Sequence, residues 1–283
     1  MFDFEQINKL KLKSLAIRKD IIKMLAEAGS GHLGGSMGLA DIFATLYFHE
    51  LKHQPQNPQW KERDRLILSI GHVAPVLYAT LAHAGYFPIE ELYTLRKLGS
   101  RLQGHPGKDK GLPGIEISSG SLGQGLSVAV GIALALKNDQ NKARVFCICG
   151  DGELQEGSIW EAAMAASHYK LDNLICIVDR NGVQIDGPTH QVMALEPLAL
   201  KWAAFGWHTI TCNGNYIPDI LKAFNETKQI LETPKVILAQ TIMGKGIASI
   251  EGDYHWHGKA PNKEEAIQFL NELEQKINYE TQT

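Results

Sequence analysis

The chain has 283 residues, 44% of them hydrophobic, with 28 basic against 31 acidic side chains and a formal net charge of −3. That is ample for one large α/β domain with a buried core, and the charge balance offers no attraction to nucleic acid or a membrane surface. Met1-Phe2-Asp3-Phe4-Glu5 lacks the basic start and apolar centre of a signal peptide, and no apolar run approaches the roughly 20 residues of a membrane span, so a cytoplasmic protein is expected.

Apolar spacing predicts a helix over residues 5–28 that ends at Gly29. Ser30 to Ser36 reads as a glycine-rich loop, and Leu39, Ile42, Phe43, Leu46 and Tyr47 resume helical spacing. Two prolines make His53 to Trp60 loop. Arg65 to Ser69 is the first expected strand, ending at Gly71-His72, and Val76 to Ala84 is helical. A short helix over Ile89 to Arg96 leads into Gly99 to Gly120, an irregular stretch whose length points to function or mobility. Leu122 to Leu136 is the next helix.

Ala143 to Cys149 is an apolar run suited to a buried parallel strand, and Leu174 to Val178 is another. Between them, Ser158-Ile159-Trp160-Glu161 has capping-box spacing and predicts a helix start. Thr209 and Ile210 with their neighbours, and Val236 to Ala239, are the last strands, on either side of a helix over Ile217 to Leu231. Thr241 to Pro261 is a second glycine-containing loop, and Lys263 to Ile277 a charged amphipathic helix with a polar tail. No repeat, low-complexity tract or linker breaks this order. Alternating strands and helices predict an α/β fold in one domain over residues 1–283, a parallel sheet with helices on both faces.

The four cysteines, Cys147, Cys149, Cys176 and Cys212, all fall in expected strands and read as core thiols. Cys147 and Cys149 are placed on opposite faces of their strand, which would keep them from bridging or sharing a metal.

Gly150-Asp151-Gly152 follows one apolar run, and Asp179-Arg180-Asn181-Gly182-Val183 follows the next. Taken singly, each is most simply a tight turn. Both, however, leave the carboxyl ends of neighbouring strands, where open α/β sheets bind ligands. Asp151 and Asn181, thirty positions apart in sequence (181 − 151), are therefore expected side by side. The Asp151 carboxylate, the Asn181 amide oxygen and the Val183 carbonyl make three hard oxygen ligands, with room for water or phosphate oxygens on an octahedral Mg²⁺.

Of eleven histidines, four sit against a glycine in an expected loop: Gly31-His32, Gly71-His72, Gly104-His105 and His257-Gly258. A loop histidine is most often just solvated. Glycine does let a backbone approach a ligand closely, and imidazole can donate to phosphate or move protons near neutral pH. No His-Glu-x-x-His or Cys/His ligand spacing is present, which argues against zinc. Gly120-Ser121-Leu122-Gly123-Gln124-Gly125 is not a dinucleotide fingerprint, but it can present backbone N–H groups at a helix start.

Gly-Asp-Gly-x-x-x-Glu-Gly from Gly150, Leu171-Asp172-Asn173-Leu174, and Asp179-x-Asn181 through Asp186-Gly187 resemble the diphosphate-binding signature of thiamin diphosphate enzymes, and of the transketolases in particular. Gly31-His32-x-Gly34, Leu68-Ser69-Ile70-Gly71-His72, Gly104-His105-Pro106, Gly120-Ser121-Leu122-Gly123-Gln124-Gly125 and Trp256-His257-Gly258 are similar to further motifs of that family, in its order, from about Ile17 to about Pro261. Ile70 departs from it, where relatives often carry a polar residue or Lys. His49, His53, His83, His168, His190 and His208 match no motif and are read as structural; His255 only adjoins one.

The resemblance implies a thiamin diphosphate-binding (PP-type) fold that moves a two-carbon ketol unit from a ketose phosphate to an aldose phosphate, in the pentose phosphate pathway. It implies cofactor contacts from His72, Gly120, Ser121, Leu122, Gly150, Gly152, Glu153, Asn181 and His257. Asp151, Asn181 and Val183 would hold Mg²⁺ (or Ca²⁺). His32, His105 and His257 would be catalytic and substrate-binding, and Glu156 would join a network between active sites, although its charge also suits the helix start that follows. No counterpart of the family's pyrimidine-binding and C-terminal domains is recognisable, so the resemblance implies the N-terminal subunit of a split transketolase, with those domains on a partner chain in an α2β2 assembly. Two alternatives stay open. One is another thiamin diphosphate enzyme, similar to 1-deoxyxylulose-phosphate synthase or acting on unusual sugars; the other is a non-catalytic scaffold.

Overall fold

Five short segments become five parallel strands: β1 (Arg65–Leu68), β2 (Val145–Gly150), β3 (Leu174–Arg180), β6 (His208–Asn213) and β7 (Lys235–Gln240), side by side in the order β1-β2-β3-β7-β6. The computed structural model describes residues 3–280, and side chains to residue 275; the end of the expected polar tail lies outside the described residues. A two-stranded hairpin, β4 (Val183–Gln184) with β5 (Gly187–Pro188), lies apart from the sheet.

Side chains alternate across a strand. Phe146, Ile148, Ile175 and Ile177 therefore face α1 (Phe4–Ala28), α3 (Ala40–Thr45), α4 (Ala74–His83) and α9 (Ile217–Thr227). Val145, Cys147, Cys149, Leu174, Cys176 and Val178 face α5 (Gly125–Asn138), α6 (Gly157–His168) and α8 (Leu198–Ala204). The expected layering is what is found. The placement of Cys147 and Cys149 is not: residues two apart share a face, and their Sγ atoms lie 3.7 Å from one another. All four thiols are free and buried, as core thiols should be.

The long helix α1 starts and stops where its sequence says. The Asp3 side chain accepts from the Glu5 N–H, and Gly29 closes the end at φ 64°, a backbone only glycine adopts without strain. Elsewhere tertiary contacts override local rules. The glycine-rich loop contains a helical turn, α2 (Gly34–Gly38), because Gly34 and Gly38 let it lie against Met243 and Ile242. The helix expected from Leu122 begins at Gly125, since Gly123 holds φ 81°. No capping box forms at Ser158: α6 starts at Gly157 without a side-chain cap, and the Ser158 hydroxyl donates instead to the Gly123 carbonyl at 2.9 Å. Ile89–Thr94 is a 3₁₀ turn, and α9 stops at Thr227. Residues 183–204, without an element in the sequence reading, hold the hairpin, α7 (Thr189–Val192) and α8. The chain closes with α10 (Lys263–Glu280) across α1.

Candidate active site

The register of β2 on β3 pairs Gly150 with Asp179, so the residues that follow each strand leave the sheet together. Asp151 is 2% exposed. One carboxylate oxygen accepts the Gly152 N–H at 2.8 Å; the other accepts the Gly182 N–H at 2.7 Å and the Arg180 guanidinium at 2.8 Å. These partners flank Asn181, as the sequence reading requires. Burial pushes the Asp151 carboxyl up from its ordinary pKa, and the Arg180 hydrogen bond pulls it back.

Asn181 is oriented by its neighbours. Its Nδ2 donates to Asp179 at 2.9 Å, and its Oδ1 accepts the Val183 N–H at 3.0 Å. Asp179 is buried, also accepts the Thr241 hydroxyl, and is pushed up to about 7, first by burial. Val183 faces Pro188 across the hairpin, and proline has no N–H to offer its carbonyl. A carboxylate, an amide oxygen and a main-chain carbonyl thus fit a hard divalent cation. Among the described residues no group of three His, Cys, Asp or Glu side chains is placed to hold a metal.

The four glycine-flanked histidines converge. Ring centroids lie 5.0 Å apart for His32 and His72, 5.0 Å for His72 and His257, 5.7 Å for His32 and His257, and 6.4 Å for His32 and His105. They arrive from different elements: His32 after α1, His72 after β1, His105 from the irregular stretch and His257 from the last loop. Gly71 packs on Ser119 and Gly120, where an added Cβ would meet backbone at 2.8 Å, and Gly120 lies under the His105 ring. Burial lowers all four imidazoles, His32 to about 4 and His72 to about 3. At neutral pH each is uncharged, with one donor and one acceptor nitrogen. Three buried polar atoms here have no protein partner: His32 Nδ1, His257 Nδ1 and Ser119 Oγ. In a packed interior such atoms are paired, so this set is suited to a polar ligand.

Ser121 and Gln124, with Ser119 and Val128, line a depression of about 280 Å³ at the start of α5. Leu122 is half-buried against the core. Glu153, expected among the cofactor-binding residues, braces the loops around the site. Its buried carboxylate takes the Ser69 hydroxyl, the Gly123 N–H at 2.8 Å and the Gly150 N–H at 3.1 Å, tying together the ends of β1 and β2 and the loop before α5. Burial, first among the causes, pushes it up to about 8. Glu156 makes no cap bond to α6, and its side chain packs by Gly123. Ile70, the departure from the family pattern, is buried against Gly150.

Sequence reasoning missed Ser69, Arg96, Asp179 and Arg180. Ser69, Asp179 and Arg180 lie inside the motifs given above, but nothing marks their side chains as partners of Glu153, Asn181 and Asp151. Arg96 carried no signal: its guanidinium fills the space beside Gly104 and reaches toward Gly31. The histidines read as structural include His53 on the Tyr47 carbonyl, His83 on Asp20 and His208 on Glu226.

The profile described as "Transketolase, thiamine diphosphate binding domain" matches residues 11–281. The chain belongs to the transketolase family. It is 39% identical over 272 residues to one subunit of the apulose-4-phosphate transketolase of Phocaeicola vulgatus, covering 96% of each chain. It is 44% identical to the 6-deoxy-6-sulfo-D-fructose transketolase subunit SqwG of a Clostridium species, covering 95% of this chain and 98% of that one. Human transketolase is 39% identical, but the match covers 97% of this chain and only 44% of the human protein. Among solved structures, Leishmania mexicana transketolase superposes with a TM-score of 0.87 at 33% identity over 92% of this chain and 40% of that one. The expected fold class and family are thereby borne out.

Proposed function

We propose that this chain is the cofactor-diphosphate-binding subunit of a two-chain transketolase, active on phosphorylated sugars once joined to a partner that carries the pyrimidine-binding and C-terminal domains, as an α2β2 assembly in the cytoplasm. One observation carries the reading: four neutral histidines and the Asp151/Asn181 loops converge on the carboxyl edge of the sheet around buried polar atoms that no protein group satisfies. The near full-length match to two proteins named as transketolase subunits supports the split. So does α5, which exposes Ser127, Val128, Gly131 and Ala135 and carries no charge before Lys137. An uncharged helix face of this kind suits a protein partner.

When bound, thiamin diphosphate supplies carbanion stabilisation for the two-carbon unit. The chain's own part is positional. Asp151, Asn181 and the Val183 carbonyl hold Mg²⁺ (or Ca²⁺), and His72 with the main chain of Gly150, Gly152 and Gly120 to Leu122 receives the cofactor. His32, His105 and His257, held neutral by burial, can each accept a proton at one nitrogen while donating a hydrogen bond from the other.

The test is calorimetric titration of thiamin diphosphate with Mg²⁺ into this chain, alone and mixed with its partner subunit, with Asp151→Ala as control. Binding that appears or tightens with the partner and is lost in the variant is the expected result. No binding to a verified complex would sink the catalytic reading and leave the scaffold.

A further inference from the structure

The Asp151 carboxylate has a cationic partner of its own. Arg180 donates one amino group to Asp151 at 2.8 Å and to the Thr189 hydroxyl at 3.2 Å, and the other to Glu196 at 2.9 Å. The three acidic and basic side chains differ sharply in exposure: Asp151 2%, Arg180 20%, Glu196 66%.

Positioning does not require the arginine. The Gly152 and Gly182 N–H groups each hold one carboxylate oxygen, and neither bond involves Arg180. What the guanidinium adds is charge, and it adds it on the oxygen that Gly182 also holds. A buried carboxylate without any counter-charge is costly, so a cation at this place stabilises the chain while no metal is bound. A divalent ion brought to the same carboxylate then meets a positive group already hydrogen-bonded to it. At the effective dielectric of such sites that repulsion is large compared with thermal energy.

We infer that Arg180 is the resident counter-ion of Asp151 and that it weakens divalent-cation binding at the cofactor site, with Glu196 drawing its charge away. This rests on the metal-site reading of Asp151 given above. Arg180 thereby tunes the affinity of a ligand set it does not belong to. Its two carboxylate acceptors lie on separate segments, one after β2 and one before α8, so the guanidinium keeps an acidic partner when Asp151 is taken by the cation.

The experiment follows thermal unfolding of the chain in verified complex with its partner subunit against MgCl₂ concentration, with saturating thiamin diphosphate, for wild type, Arg180→Met, Arg180→Lys and Glu196→Gln. Arg180→Met is expected to melt lower than wild type without metal and to bind Mg²⁺ about tenfold more tightly. Arg180→Lys, which keeps the charge, should stay within a few-fold of wild type, and Glu196→Gln should bind more weakly. If wild type responds to Mg²⁺ and Arg180→Met responds with equal or lower affinity, Arg180 is not a competitor and the inference falls alone. If no protein responds, the metal site itself falls, and the inference with it.

Discussion

Two glycines in α5 should respond in opposite directions to the same substitution. An added Cβ at Gly125 would stand 2.4 Å from the Cβ and Oγ of Ser69 and 2.6 Å from its Cα; one at Gly131 would meet nothing within 4 Å. Carbon atoms in contact sit about 3.5–4.0 Å apart, so Gly125→Ala must push the helix start and the end of β1 apart by roughly 1 Å. Overpacking of that kind costs about 1–3 kcal/mol. The shift also strains the buried bond from the Gly125 N–H to Ser69 Oγ, 3.1 Å in the native chain, which contributes about 1 kcal/mol. Alanine's better helix propensity returns at most about 1 kcal/mol. The net loss is about 1–3 kcal/mol, a fall in melting temperature of roughly 3–10 °C. Gly131→Ala keeps only the propensity term and should raise the melting temperature by about 2–3 °C. Scanning calorimetry of the three proteins checks this. A rise for both variants would mean that α5 does not close on Ser69.

Glu153, held at about 8, and Asp179, at about 7, bind their protons more tightly folded than unfolded, so the stability they contribute is complete at acidic pH and lost as pH rises through those values. Between pH 7 and 8 the wild type should lose up to about 1.4 kcal/mol per proton in urea unfolding, with a smaller slope in Glu153→Gln; parallel slopes would refute the assignment. The lowered imidazoles give a spectroscopic test: the His32 and His72 ring protons should show no titration step above pH 5.5 by NMR, and a step near 6.5 would place them in solvent. Arg18 and Asp41 form a buried bidentate pair, at 3.0 and 2.7 Å, that ties α1 to α3. Arg18→Met should cost about 3–5 kcal/mol by chemical denaturation, and adding Asp41→Leu should restore part of the loss.

The reach of sequence reasoning tracked distance along the chain. The Asp151–Asn181 juxtaposition was legible because a single strand–helix–strand unit fixes it: parallel pairing of adjacent runs leaves little freedom for the loops that follow. Ser158 shows the opposite case. Its spacing satisfies a local capping rule, but a carbonyl 35 residues away, at Gly123, takes the hydroxyl. Gly34 to Ser36 reads as the end of a loop by composition and folds as the start of a helical turn, Gly34–Gly38, against residues from the far end of the chain. The histidines were visible one by one only as weak signals; family motifs grouped them, and the topology explains why four distant loops reach one edge. The error at Cys147 and Cys149 was of another kind, a period of two counted as one.

What the site holds back is as informative as what it binds. The oxygens of Asp151, Glu153 and Asp179 are occupied by backbone and side-chain donors, so these groups serve the fold whether or not a ligand arrives. His32 Nδ1, His257 Nδ1 and Ser119 Oγ are buried and paired with nothing. Folding gains little from such atoms, since each has given up water without a partner in exchange. Removing one should therefore cost less stability than removing a brace such as Glu153, and the difference sorts the site into scaffold and ligand-facing parts without reference to activity. By that criterion the histidine cluster falls on the ligand-facing side, where a ligand bearing several polar atoms supplies the partners that packing does not.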